Sequence, residues 1–271
     1  MNKIIAVYFE TGCTAIIFSR IKILSQLHDV IPLAEEPREL LPLIDNRDES
    51  VCATLLLPSL FEDVRVLSYS YEGNRKAAGK AASLAAAIFL FEVRGLLFDE
   101  LTVRTDGGVE RILYKENRFW AELDAVSTTK ALTLEIMGVS APYRLATVGA
   151  GKVLAVACGD VSSFDLSILP LYLCHHNAWC GSEKNLTSGR ESALGAVVYS
   201  LSGETVTAFS YFTNGEKGDR INVLSAISFL ARADRILTVC YADETFYLLR
   251  EGGRVLVSSS YERPMTFEFC K

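Results

Sequence analysis

The sequence predicts an α+β protein of two pseudo-symmetric halves, and three observations predict it. Ser68-Tyr69-Ser70-Tyr71-Glu72-Gly73 and Ser210-Tyr211-Phe212-Thr213-Asn214-Gly215 share one pattern, Ser-Tyr-x-x-x-Gly, and each runs into a turn. Each is followed by a glycine that opens an apolar, helix-like segment: Gly79-Lys80 before 81–91, and Gly218-Asp219 before 221–231. Gly12 and Gly79 are also as far apart as Gly151 and Gly218. A unit that recurs in a chain of this length indicates two similar domains, and clefts between such domains are where ligands bind.

The elements follow in order. The runs 4–9 and 15–18 read as short strands split by the turn Thr11-Gly12-Cys13, and 51–57 reads as a continuous apolar, buried strand. Pro37-Arg38-Glu39 and Asn46-Arg47-Asp48 mark surface loops, 64–71 alternates as a strand, and 77–92 is a helix. Asp106-Gly107-Gly108 and Lys115-Glu116-Asn117 punctuate a hairpin that pairs 101–104 with 119–123. The pattern loosens over 124–144, which sets the domains at 1–140 and 141–271. Thr147-Val148-Gly149-Ala150-Gly151-Lys152 then leads into 153–157, echoing Thr11-Gly12 before 15–18. The run 194–199 reads as a strand into a Ser202-Gly203-Glu204 turn. The second helix, 219–231, carries Val223, Leu224, Ile227, Leu230 and Ala231 on one face, and 236–240 with 255–259 forms the second hairpin.

Composition narrows the function classes. The chain has 271 residues, half of them apolar, enough for one large core or two ordinary ones. A net charge of −6 with no basic stripe argues against nucleic acid. The longest apolar stretch, 81–91, falls well short of the roughly 20 residues a membrane helix needs, and Met1-Asn2-Lys3-Ile4 starts with no signal-peptide pattern. Seven cysteines, an odd number in apolar surroundings, point to reduced thiols in a cytoplasm. Cys174-His175-His176-Asn177-Ala178-Trp179-Cys180 is the one metal-like cluster, but its spacing fits no common zinc pattern and it reads as a loop; no metal and no cofactor are expected. Gly149-Ala150-Gly151-Lys152 lacks the spacing of a phosphate loop.

The succession of glycine turn, strand, aromatic strand, glycine-opened helix and hairpin, given twice, resembles the diaminopimelate epimerase superfamily. The closing segment 257–269, Val-Ser-Ser-Ser-Tyr-Glu-Arg-Pro-Met-Thr-Phe-Glu-Phe, is similar to that family's last strand pair. The resemblance implies two domains, each a curled, mainly antiparallel sheet around a central helix, with both helix N-termini aimed at one cleft. It also implies cofactor-independent isomerase chemistry on a small carboxylate-bearing metabolite such as an amino acid. The family's racemases use a cysteine at the start of each central helix, one thiolate removing the α-proton and one thiol delivering a proton to the other face. Here those positions correspond to Gly79 and Gly218, and the family's substrate-binding asparagines correspond to Cys13 and Ala150. The two-cysteine mechanism is therefore contradicted by the sequence.

Three readings stand. Lys80 and Asp219, one residue past the two glycines, could shuttle a proton between carbons, with Cys13 a third candidate and Gly79, Gly218, Ala150 and Gly151 holding the substrate. The lysine-using methylaconitate isomerase type of relative is similar in this respect. The cleft could instead bind a small anion without chemistry. Or the chain could be an inactive member that serves as a binding or assembly subunit, as a homodimer or beside an active relative. Structural roles compete at each position: Asp219 as a helix cap, Gly79 and Gly218 as close-packing residues, Cys13 as a small buried hydrophobe. Lys80 at a helix start opposes the macrodipole, which favours a functional role for it.

Overall fold

The computed structural model describes residues 15–33, 51–70, 73–124, 126–128, 132–136, 139–148, 151–180, 193–213 and 220–270. The chain divides into two compact units. The first is Met1–Glu122 with Ser258–Lys271, and the second is Leu123–Val257. The boundary between the units falls after Glu122, and the end of the chain returns to the first unit.

In the first unit, β1 (Ala15–Ile23) and β2 (Gln26–Pro32) form an antiparallel hairpin. Its two turn residues, Leu24 and Ser25, have φ of 48° and 64°, the left-handed pair that matches strand twist in a two-residue turn. Leu24 is buried there, and its N–H donates to Ser259 Oγ at 3.1 Å. β3 (Val51–Leu57) runs parallel to β2, and β4 (Val64–Tyr69) antiparallel to β3, with the two-residue β5 (Arg75–Lys76) on β4. β6 (Glu100–Thr105) lies parallel to β4 and continues antiparallel into β7 (Gly108–Lys115) and β8 (Arg118–Glu122). β17 (Met265–Cys270) closes the unit by pairing antiparallel with β1.

Helix α1 (Lys80–Ile88) is the centre of this unit. Ala81-Ala82-Ser83-Leu84-Ala85-Ala86-Ala87-Ile88 is buried throughout and packs on β1, β2, β3, β4, β6, β7 and β8. Alanine and leucine are the strongest helix formers, and a helix apolar on every side belongs inside. It runs on through a wider turn, Phe89–Val93, and stops before Gly95 at φ 67°.

The second unit contains β9 (Leu132–Ile136), β10 (Val139–Val148), β11 (Gly151–Ala157), helix α2 (Leu169–Cys180), β12 (Gly195–Ser202), β13 (Thr205–Phe212), helix α3 (Arg220–Ile227), β14 (Leu237–Tyr241) and β15 (Glu244–Glu251), with β16 (Arg254–Ser259) leading out. Its pairing scheme repeats that of seven strands of the first unit. β9–β10 and β10–β11 are antiparallel, β11–β12 parallel, β12–β13 antiparallel, β13–β14 parallel and β14–β15 antiparallel. β9 to β15 thus stand for β17, β1, β2, β3, β4, β6 and β7. Helix α3 packs on β10, β11 and β12, as α1 packs on β1, β2 and β3. The protein is an α+β fold of two pseudo-symmetric domains.

Several expectations are corrected. By pairing, the turn before β11 matches the Leu24-Ser25 turn, not Thr11-Gly12, which lies outside the described residues with 4–9 and 37–48. The hairpins joining 101–104 to 119–123 and 236–240 to 255–259 omit a strand each, β7 and β15, whose outward charged residues mask the alternation. The loosened stretch 124–144 contains β9 and the start of β10. The Cys174-His175-His176 segment is helix, not loop: Leu169, Tyr172 and Leu173 anchor α2 on Leu154, Val156 and Val198.

Gly195 shows how tightly the second sheet is fitted. It lies opposite Phe212, and a Cβ on Gly195 would come within 2.5 Å of the Phe212 ring. Gly195→Ala should therefore lower stability by about 1–3 kcal/mol, measured by urea denaturation. Adding Phe212→Ala should recover part of that loss, since it removes the ring the methyl strikes.

Candidate functional site

The N-terminus of α1 is built to be open. Gly79 is its N-cap, in extended conformation (φ −104°, ψ −174°), with no side chain capping the helix and no acidic residue in the first turn. The first ring is closed by the Ser83 N–H, which donates to Gly79 O at 3.2 Å. The N–H groups of Lys80, Ala81 and Ala82 consequently have no acceptor within the helix. Gly79 is exposed, and a Cβ placed on it would meet nothing within 4 Å among the described residues. Close packing therefore does not explain this glycine. Lys80 is the first helical residue and half-buried. N–H groups directed out of the first turn and the positive helix end suit a carboxylate or phosphate.

Gly151 is a different kind of glycine. It opens β11 in the second unit, and a Cβ on it would lie 2.5 Å from Leu194 Cδ1. Packing under Leu194 is its evident role. Its neighbour Lys152 is turned along the hairpin, its Nζ donating to Thr147 Oγ1 at 2.7 Å, while Ser127 Oγ donates to the same oxygen at 2.9 Å. Cys13, Ala150, Gly218 and Asp219 lie outside the described residues. Helix α3 is described from Arg220, whose Nε donates to Glu244 Oε2 at 3.3 Å.

One cluster was not anticipated. His28 on β2 is buried, and its Nδ1 lies 2.8 Å from Thr54 Oγ1 on β3. Thr54 stands directly opposite Ser68 on β4. His28 Nε2, Ser68 Oγ and Ser83 Oγ are buried with no hydrogen-bond partner among the described residues. All three belong to α1 or to strands packed on it. Removal from water pushes the His28 ring down to about 4, against the smaller opposing effect of Asp29, so the imidazole is neutral at pH 7. The one sequence signal was a histidine beside an aspartate in the short run QLHDVIP.

The Cys/His segment assembles no comparable site. Along α2, Cys174 and His175 are exposed while His176 is buried edge-on to Tyr143, with ring centroids 5.8 Å apart. Consecutive helical residues point about 100° apart, so these three cannot converge on one ion. Among the described residues no group of three metal-ligating side chains comes together, and no helix is long and apolar enough to cross a membrane.

Comparison with solved structures identifies the fold. A phenazine biosynthesis PhzF-family protein from Enterococcus faecalis superposes with a TM-score of 0.60 at 11% identity, covering 94% of this chain and 99% of the other. A PhzC/PhzF protein from Clostridium difficile gives 0.59 at 10% identity, covering 93% and 98%. A methylitaconate-Δ-isomerase gives 0.52 at 10%, covering 94% and 96%, and a predicted epimerase from Pseudomonas aeruginosa 0.52 at 13%, covering 94% and 99%. The fold is thus shared with these proteins over nearly the whole chain. No protein-family model and no curated protein matches the sequence.

Two expectations test this geometry. Gly79→Cys should fold normally and carry a thiol of lowered pKa at the helix end, alkylated by iodoacetamide at pH 7 faster than exposed Cys174 in the same chain. Equal rates, read by peptide mass spectrometry, would count against an electropositive mouth. The second concerns pH. The unfolded histidine titrates near 6.5 and the folded one near 4, so between these values the unfolded chain binds the extra proton. Stability should therefore fall as pH drops from 6.5 to 4, by on the order of 3 kcal/mol. Denaturation midpoints of His28→Asn should show a flatter pH dependence across that window.

Proposed function

We propose that this chain is a cofactor-independent isomerase-like protein that takes a small carboxylate-bearing metabolite at the N-terminus of α1 and works without the two-cysteine mechanism. The observation that carries the reading is the uncapped helix start at Gly79, open to solvent, with Lys80 as its first residue. The substrate carboxylate would accept hydrogen bonds from the first-turn N–H groups of Ala81 and Ala82, which have no acceptor within the helix. Each exposed helix end contributes roughly 0.3–1 kcal/mol to an anion, and more when partly buried.

In the proposed reaction the Lys80 amine takes a proton from the carbon beside the carboxylate. The C–H electron pair moves into the carboxylate, or through a conjugated double bond, and the first-turn N–H groups hold the developing negative charge. Return of the same proton from Lys80 to the far carbon shifts the double bond, with no net change in protons or electrons. One amine serves such a shift on a single face. Inversion at one carbon needs a second group on the opposite face, and Asp219 is the candidate for it, with Cys13 next. The fold shared with a methylitaconate-Δ-isomerase supports the double-bond shift as the first reaction to examine. Gly218, Ala150 and Gly151 remain substrate-side candidates of the same proposal. A cytoplasmic setting belongs to it too, supported by the free thiols of Cys52, Cys158, Cys174 and Cys240.

A second reading is favoured by one specific feature. Gly79 brings no acid or base to the helix start, so the mouth could bind an anion without chemistry, as an inactive binding or assembly subunit would. Deuterium wash-in over a panel of amino acids and unsaturated acids separates the two. Catalysis predicts carbon-bound exchange that survives Cys13→Ala and falls about 10²–10⁴-fold in Lys80→Ala. Saturable binding with no exchange in any substrate would establish the second reading instead.

A further inference from the structure

One end of the second unit carries a hollow of about 540 Å³, between the β12–β13 turn and the segment that joins α3 to β14. Leu201, Leu230, Ile236 and Leu237 give it an aliphatic lining, and Glu204, Arg232 and Arg235 are its charged residues. The elements around it are tied down. Glu204 O accepts the Thr238 N–H at 2.8 Å, which joins the β12–β13 turn to β14. The segment after α3 is held by β15: Arg232 O accepts the Arg250 N–H at 2.9 Å, and Ala231 O accepts Arg250 Nε–H at 3.1 Å. The hollow is thus preformed, and its size lies in the range of small-molecule sites.

Its two arginines differ. Arg235 is already matched, with Nη1 3.1 Å from Glu204 Oε1 and Nε 3.4 Å from Asp234 Oδ2. Arg232 is exposed, and its guanidinium makes no ion pair or hydrogen bond with another described residue. The lining therefore holds one uncompensated positive charge beside four aliphatic side chains. The repeat supplies a comparison. Thr205 opposite Thr238 matches Val64 opposite Val103, and the corresponding end of the first unit has a hollow of about 300 Å³ lined by Phe91, Leu97, Phe98, Asp99 and Tyr114. There the lining is largely aromatic and carries an acid. The arginines are particular to the second unit and are not a demand of the fold.

We infer that this hollow binds a singly charged alkyl carboxylate, of about six to ten carbons for a site of this size, with its head on Arg232 and its chain along Leu201, Leu230, Ile236 and Leu237. A guanidinium meets a carboxylate through two parallel hydrogen bonds, a geometry that an ammonium does not offer. One free cation suits a monoanion and leaves the second charge of a phosphate unmatched. The aliphatic lining suits an alkyl chain, whose burial supplies the rest of the affinity. The site goes beyond the proposed function, since it belongs to the second unit and Gly79-Lys80 to the first.

Isothermal titration calorimetry of the full chain with sodium hexanoate, octanoate and decanoate tests this. Octanoate should bind saturably with a dissociation constant on the order of 10–100 μM. Each added methylene should tighten binding about two- to fourfold. Arg232→Gln should weaken octanoate about tenfold or more with unchanged circular dichroism, since the side chain is exposed. Lys80→Ala should leave octanoate binding as it is. In the wild-type chain, octanoate should slow modification of Arg232 by phenylglyoxal several-fold, read by peptide mass spectrometry. Octanol, which lacks the charge, should bind far more weakly. No saturable octanoate binding, octanol binding of equal strength, or Arg232 left unprotected would overturn the inference. Binding kept in Arg232→Gln and lost in Lys80→Ala would overturn it too, because the anion would then sit at the start of α1.

Discussion

The first unit depends on one constraint: a sheet must close around α1 on all sides. Most helices rest on a sheet by one stripe, but α1 packs on seven strands and has no outward face. Such a helix has to be thin as well as apolar, which is why five of its nine residues are alanine and why Leu84 and Ile88 are its only large aliphatic side chains. The strands in turn bring larger residues inward, among them Val64, Val66, Val103, Ile112 and Phe119, all buried. Close packing then fixes the helix axially, and its ends must come out where the sheet stops. Gly79 lies at one of those ends. The open mouth at Gly79-Lys80 is therefore a consequence of how the core is filled, and the surrounding apolar medium makes the helix-end field count for more than it would on a surface helix.

What could be read from residue order follows from the same physics. The alanine run after Gly79 is legible because helix propensity and burial agree there. Gly79 and Lys80 are legible as a helix start for the same reason. β7 and β15 were hidden because GVERILYK and ETFYLLRE expose charges on one face, so their apolar residues looked like hairpin margins. Helix α2 was hidden because Cys, His and Asn dominate its second half, though Asn177 is spent on the chain itself: its Nδ2 donates to Ala193 O and its Oδ1 accepts the Ala193 N–H. The glycine spacing that revealed the repeat also misaligned it. It treated all glycines as one signal, whereas Gly79 faces open space, Gly151 makes room for Leu194 and Gly195 makes room for Phe212. The cluster of His28, Thr54 and Ser68 was beyond reach, because only the strand pairing brings those residues together.

The topology adds an asymmetry to a repeated design. β9 and β17 hold equivalent places, yet β9 immediately precedes β10 while β17 must return from the far end of the chain to reach β1. Its return is secured by local contacts: Phe18 stacks on Phe267 with centroids 5.2 Å apart, and the hydroxyls of Ser19 and Thr266 lie 3.0 Å apart. The second unit is thus an insertion within the first. All its strands are continuous in sequence, whereas the first unit closes a loop nearly as long as the protein. Long-range pairings of that kind slow folding because chain entropy is lost before the contacts that compensate for it form. The second unit can accordingly complete its sheet while the sheet of the first still awaits β17 beside β1.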